Sequence, residues 1–136
     1  MVVDTHILIW AMQNDKRLGR TARGMIGEAA RGDGLAVSAI TPWEIAMLAH
    51  KRRLALGRDV AAWIDEALSL PGVRLMPLEP AICIDSVRLP GTLHPDPADR
   101  FIIATARHAD LPLMTADRAV LDYGAAGYVR TIDAGR

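Results

Sequence analysis

The chain has 136 residues, 51% of them apolar and 24% charged, which excludes a mainly disordered protein and predicts a single globular domain over residues 1–136. Sixteen basic and sixteen acidic side chains give a formal net charge of zero, so nucleic-acid binding would require a local basic patch. The single cysteine excludes an internal disulfide, and without a signal peptide or a run of about 18 apolar residues we expect a cytoplasmic protein without membrane contact.

Short apolar runs alternate with amphipathic runs, which predicts an α/β fold with a mainly parallel central sheet flanked by helices. The helix over residues 96–109 is apolar nearly all round, so we expect it to be buried at the centre of the domain. In chain order, the predicted elements are strand 1–3, helices 5–12 and 18–31, strand 35–40, helices 41–53 and 59–70, strand 73–78, helices 79–88 and 96–109, strand 112–115, helix 118–123 and strand 128–132.

Four acidic residues stand close to helix starts. Asp4 and Asp117 follow predicted strands, Glu44 lies in the first helical turn after another strand, and Asp99 opens helix 96–109. In right-handed strand–helix–strand units a helix begins at the edge of the sheet where the preceding strand ends. Helix 96–109 runs back to feed strand 112–115, so its start also lies over that edge. We therefore expect the four carboxylates to meet at the carboxyl edge of the sheet, where open α/β sheets bind ligands.

Convergence would have an energetic consequence. Two like charges about 4 Å apart repel by ~4 kcal/mol at an effective dielectric near 20, whereas a helix cap contributes only ~1 kcal/mol. Carboxylates that meet would therefore need a bound cation or strongly raised pKa values.

Each acid also has a local explanation. Glu44 fits a capping box with Thr41 as the N-cap, and Asp96 fits an N-cap before Pro97. Aspartate at a strand end is also common turn chemistry. The sequence leaves both interpretations open, and convergence in the fold would decide between them.

The neighbours of the acids suit phosphate chemistry but also have structural explanations. Thr5 and Thr115 could orient a ligand or satisfy helix starts, and Arg100 could contact phosphate, neutralise the acids or form a surface salt bridge. The histidines His6 and His94 lie near the acids and are either supporting or structural. Basic side chains are candidates for an RNA backbone or simply solvated helix faces; they are Lys16, Arg17, Arg20, Arg23 and the run 50–53.

Four segments carry a combined pattern: DTHILIW (4–10), SAITPWEIAML (38–48), HPDPADRFIIATA (94–106) and LMTAD (113–117). In this order and spacing they resemble the PIN-domain ribonucleases, and more closely the VapC-type toxins of bacterial toxin–antitoxin pairs. The resemblance covers essentially the whole chain. It implies a PIN fold, endonucleolytic cleavage of RNA (transfer or ribosomal RNA), dependence on Mg²⁺ with Mn²⁺ as a substitute, a homodimer, and inhibition by a cognate antitoxin protein.

The resemblance also implies roles for particular residues. The family's acidic quartet falls on Asp4, Glu44, Asp99 and Asp117 as metal-binding and catalytic residues, and Asp96 has a supporting role. A metal-activated water held in this cluster would hydrolyse the phosphodiester, with Glu44 or Asp117 positioning or deprotonating it.

Two other functions are weighed against this one. One is a PIN-fold module that binds RNA or an antitoxin without cutting, and the intact quartet argues against it. The other is a different Mg²⁺-dependent phosphoryl-transfer domain, such as a receiver domain. A single acid after the first strand and the absence of lysine from the second half of the sequence oppose that alternative.

Overall fold

A computed structural model describes residues 1–93 and 96–136. The strands and helices alternate as the sequence predicts, and they form a single five-stranded sheet with helices packed on it. In chain order the elements are β1 (Val2–Val3), α1 (Thr5–Met12), α2 (Arg20–Arg31), β2 (Leu35–Ser38), α3 (Ile40–His50), α4 (Val60–Leu68), β3 (Val73–Met76), α5 (Pro80–Val87), α6 (Pro97–Ala109), β4 (Leu113–Thr115), α7 (Arg118–Ala125) and β5 (Thr131–Asp133).

The strand order is β3-β2-β1-β4-β5, and every neighbouring pair is parallel. The central strand β1 pairs with both neighbours through Val2, which faces Ala36 on one side and Leu113 on the other. The predicted fold class, a mainly parallel sheet flanked by helices, is therefore confirmed. Within the described part of the chain, no helix has both the length and the apolar character needed to cross a membrane.

The sheet separates two apolar cores, because successive residues of a strand point to opposite faces. In β1, Val3 belongs to the core that α1, α2 and α4 cover, whereas Val2 belongs to the core beneath α6 and α7. In β4, Met114 and Leu113 divide in the same way. Both faces of the sheet are therefore covered, which explains why its strands read as continuous apolar runs.

Helix α6 is buried, as its apolar sequence predicts. Ile102 and Ile103 are 1% and 0% exposed, and both pack in the core beneath α6 and α7. The side chain of Asp96 caps the helix by accepting a hydrogen bond from the Asp99 N–H (3.1 Å). Phe101 differs from the prediction, because it is only half-buried and lies toward the surface.

Every predicted element except α1 differs from the observed one by one to three residues at one or both ends, and two of these differences have a structural explanation. Helix α3 begins at Ile40 with Ala39 as its N-cap, so Thr41 lies inside the helix and the predicted capping box with Glu44 does not form. The last strand is Thr131–Asp133 rather than residues 128–132, because Tyr128 instead stacks on Tyr123 of α7 with the ring centroids 4.8 Å apart. Both errors arise where side-chain packing overrides local sequence preference.

Candidate active site

Asp4 is the most enclosed acid of the candidate site. It follows β1 at the centre of the sheet and caps α1, its Oδ1 accepting from the Thr5 N–H at 2.7 Å. Its Oδ2 accepts from the Thr115 hydroxyl at 2.7 Å, so both carboxylate oxygens are held. The same Thr115 oxygen accepts from the Asp117 N–H at 3.1 Å. Thr115 therefore joins the ends of the two central strands, β1 and β4, through one hydroxyl group.

A hydrogen bond between two threonine hydroxyl groups connects α1 to α3. The Thr5 and Thr41 hydroxyl oxygens lie 3.0 Å apart and share a hydrogen bond, and both residues are fully buried. Glu44 lies three residues after Thr41, so the two share one face of α3. The Glu44 residue is 9% exposed, and its buried Oε1 atom has no hydrogen-bond partner among the described residues. The site thus contains one buried carboxylate oxygen whose hydrogen bonding is not satisfied by the described residues.

The remaining acids lie at two helix starts. Asp117 caps α7, and its Oδ1 accepts from the Val120 N–H at 3.1 Å. Asp96 caps α6, and Asp99 lies in the first turn of that helix. Capping and convergence are therefore not alternatives in this fold, since Asp4, Asp96 and Asp117 do both.

All five carboxylates line one cavity of about 260 Å³ at the carboxyl edge of the sheet. The edge geometry inferred from the sequence thus brings the predicted quartet together, with Asp96 beside it. The residues lining the cavity are Asp4, His6, Trp10, Glu44, Asp96, Asp99, Ala116 and Asp117.

The electrostatics of the cavity reflect burial and mutual repulsion. Burial raises the pKa of Asp4, and the hydrogen bonds from Thr115 and Thr5 offset only part of this effect. Burial likewise raises the pKa of Glu44; the Thr5 hydroxyl opposes this effect as a hydrogen-bond donor, and the charge of Asp4 adds to it. The pKa of Asp99 rises from 3.8 to about 8, first through burial and then through the charges of the other four acids. At neutral pH Asp99 therefore keeps a proton that an isolated carboxyl group would lose.

The carboxylate oxygens that line the cavity are potential ligands for a divalent cation. Within residues 1–93 and 96–136, no group of three or more His, Cys, Asp or Glu side chains is placed as a metal-binding cluster. The donor chemistry nevertheless fits Mg²⁺, which prefers oxygen ligands and binds through one or two carboxylates while keeping several waters. A cation would interact favourably with Glu44 Oε1, which has no partner among the described residues, and would lower the raised pKa of Asp99.

Arg100 has a different setting from the one expected. Its guanidinium donates to the carbonyl oxygens of Ser86 and Leu93, both at 3.2 Å. It therefore holds the chain between α5 and α6, and neither a phosphate contact nor a surface salt bridge is needed to explain its position. His6 is exposed and lines the acidic cavity, whereas His94 lies outside the described residues.

Two residues of the site were not predicted from the sequence. Thr41 was assigned to a helix cap, although its three-residue spacing from Glu44 already placed both on one helix face. Trp10 also lines the cavity, and the four-residue spacing from His6 to Trp10 is the signal that both face one side of α1. Of the other two tryptophans, Trp63 is buried in the core, being 4% exposed, whereas Trp43 is 52% exposed.

The fold and the site together define the class: an α/β domain with an acidic cavity at the carboxyl edge of a parallel sheet. Residues 1–125 match the PIN domain family. The chain is also 35% identical to Ribonuclease VapC22 of Mycobacterium tuberculosis (strain ATCC 25618 / H37Rv) over 118 residues, which make up 87% of each chain. The chain therefore belongs to the PIN-domain family and is a VapC-type member of it.

Solved structures agree on the fold. VapBC2 from Rickettsia felis, crystallised with a DNA fragment from its promoter, aligns with a TM-score of 0.69 at 13% identity and covers 96% of both chains. A toxin–antitoxin complex from Klebsiella pneumoniae aligns with a TM-score of 0.63 at 22% identity, over 98% of this chain and 96% of that one. The PIN-like fold that the four sequence segments implied is thereby confirmed.

Proposed function

We propose that this protein is a metal-dependent endoribonuclease that acts as the toxin of a toxin–antitoxin pair in the cytoplasm. The observation that carries the proposal is the convergence of five carboxylates on one cavity, with the pKa of Asp99 raised to about 8. A helix cap requires no such convergence, whereas a site for a divalent cation does. The ribonuclease name of the mycobacterial relative and the toxin–antitoxin titles of the solved complexes support the same assignment.

In this proposal Asp4 and Asp99 would hold the cation most directly, and Asp117 and Glu44 would complete its surroundings. When bound, Mg²⁺ supplies the positive charge that offsets charge developing on the phosphate and makes a nearby water more acidic. The chain's own contribution is preorganisation, because two donors fix the Asp4 carboxylate before substrate arrives.

Glu44 is the residue that we assign to the attacking water. Its buried Oε1 has no described partner, and its raised pKa brings it closer to the working range of a general base. The Thr5–Thr41 hydroxyl pair beside it fixes α1 against α3 and thus the position of the Glu44 carboxyl group. Asp117, held by its own cap, is the second residue that could position this water.

The assay is cleavage of total RNA by purified protein in Mg²⁺, in Mn²⁺ and in EDTA. We expect cleavage with either metal and none in EDTA, and Asp4→Asn should abolish it while keeping the fold, because the change removes a ligand but little volume. The matched control is Asp122→Asn on an exposed face of α7, which should cut like the unaltered protein. Equal cleavage by the Asp4→Asn variant, or cleavage unaffected by EDTA, would reject the metal-site assignment.

Sequencing the RNA ends would identify the substrate, and we expect 5′-phosphate and 3′-hydroxyl termini within transfer or ribosomal RNA. RNA binding without any cleavage would instead support the non-catalytic PIN-fold module. The antitoxin is tested by co-expressing the neighbouring reading frame; restored growth and a co-purifying complex are expected. Light scattering of the purified protein tests the proposed homodimer.

A further inference from the structure

Trp10 lies between an apolar core and the acidic cavity. It lies near the end of α1, packs partly against the core beneath α1, α2 and α4, and contributes to the lining of the acidic cavity. It is half-buried, whereas Trp63 is fully enclosed in the same core. Part of the Trp10 side chain is therefore accessible beside the acidic cavity.

Arg17 holds a fixed position against this ring. Its guanidinium carbon lies 4.7 Å from the centroid of the Trp10 ring. The carboxylate of Asp15 accepts from Arg17 Nε at 3.1 Å and from Arg17 Nη2 at 2.8 Å, so the guanidinium group is bound at two points. Arg23 in turn donates to the carbonyl oxygens of Asp15 and Leu18. The pair formed by Trp10 and Arg17 is therefore preorganised, although the Arg17 side chain remains 67% exposed.

The surroundings of this pair are basic. Lys16 and Arg20 are exposed beside Arg17, and the Gln13 side chain donates to the Ala55 carbonyl at 3.1 Å. That bond joins the end of α1 to the loop that follows the exposed basic run 51–53. A phosphate backbone entering a cavity lined by five carboxylates needs such local positive charge, because the chain as a whole is neutral.

We propose that the pair formed by Trp10 and Arg17 is a stacking platform for an unpaired RNA base next to the bond that is cut. Single-stranded RNA is commonly bound by stacking its bases on aromatic rings or guanidinium planes beside a basic track. The inference rests on the proposed function in taking RNA as the substrate. Trp10 is thus a substrate-positioning residue and has no role in the chemical step.

The test measures binding in an Asp4→Asn background, so that it does not depend on cleavage. The probe is a fluorescein-labelled single-stranded RNA of about 12 nucleotides containing all four bases, with a series in which each position in turn is abasic. Trp10→Leu should weaken binding of the intact RNA by about 5- to 150-fold, the effect of losing one stacked base. Trp10→Tyr should retain most of the affinity, and Trp43→Leu, which removes an exposed tryptophan outside the cavity lining, should leave it unchanged.

The decisive measurement is whether the loss of affinity caused by an abasic position depends on the presence of Trp10. One abasic position should weaken binding to proteins that contain Trp10 and cause no further loss in the Trp10→Leu variant. Unchanged affinity in Trp10→Leu, or losses that simply add at every abasic position, would overturn the proposal. If the Trp10→Leu variant does not fold, the abasic series is measured with the Asp4→Asn protein and with its Trp10→Tyr variant. Equal affinity for the intact RNA and for every abasic RNA would then refute the proposal. Cleavage by the unaltered protein is scored separately, so failure of the nuclease assignment is distinguishable.

Discussion

Replacing Asp99 by asparagine should make the protein more stable while removing its proposed activity. Folding transfers Asp99 into a half-buried position among four other carboxylates, which raises its pKa from 3.8 to about 8. At pH 7 the folded protein therefore holds a proton that the unfolded chain has lost, and this difference lowers the free energy of unfolding. Asparagine has the same shape and carries no charge, so the variant avoids this cost.

The size of the gain follows from the pKa shift. Each pH unit above 3.8 is worth about 1.4 kcal/mol for a carboxyl group that stays protonated in the folded state, which gives roughly 4 kcal/mol at pH 7. Solvent reaches part of the Asp99 side chain and screens the charges, so we expect about 2 kcal/mol. Because the pKa is raised, the penalty grows as pH rises from about 4 to about 8 and then levels off.

The measurement is urea unfolding of both proteins in EDTA across that pH range. The free energy of unfolding of Asp99→Asn should exceed that of the unaltered protein by about 2 kcal/mol at pH 7 and by little near pH 4. The control Asp122→Asn should show no gain in this free energy. A lower stability of Asp99→Asn at pH 7, or a gain that does not change with pH, would refute the electrostatic account of the cavity.

Three further predictions concern the same fold and are also measured by urea unfolding. Thr115→Val should lower the free energy of unfolding by about 1–3 kcal/mol, because the buried Oδ2 of Asp4 loses its hydrogen-bond donor. Unchanged stability would show that this hydrogen bond does not stabilise the fold. Gly72→Ala should cost about 1–3 kcal/mol or more, since φ is +82° and an added Cβ would lie 2.2 Å from the Ala30 carbonyl oxygen. Gly57→Ala has φ of +73° and no atom within 4 Å, so a loss as large there would contradict the steric explanation. Mg²⁺ at a hundredfold excess over its dissociation constant should raise the free energy of unfolding of the unaltered protein by about 2.7 kcal/mol. An equal increase in the Asp4→Asn variant would argue against binding in the acidic cavity.

Much of this architecture is encoded locally. The bounds of α1 were predicted from the sequence without error, because Asp4 is a good cap and the following residues form a continuous apolar helix. The position of the acids was also predictable, since the carboxyl ends of parallel strands must share one edge. The starts of helices are harder to predict from the sequence. The local pattern favours Thr41 as an N-cap, but its buried hydroxyl group forms a hydrogen bond with Thr5, a residue 36 positions earlier in the chain.

Periodicity and chain direction are properties of the sequence, and they specify the alternation of strands and helices, the burial of α6 and the edge on which the carboxylates lie. Contacts between distant segments arise only in the folded chain. Thr115 donates to Asp4, Arg100 donates to backbone carbonyls, Trp10 lies beside the acids, and Glu44 Oε1 has no described partner. Burial, hydrogen bonding and pKa depend on neighbours in three dimensions, and a local sequence pattern does not specify these neighbours.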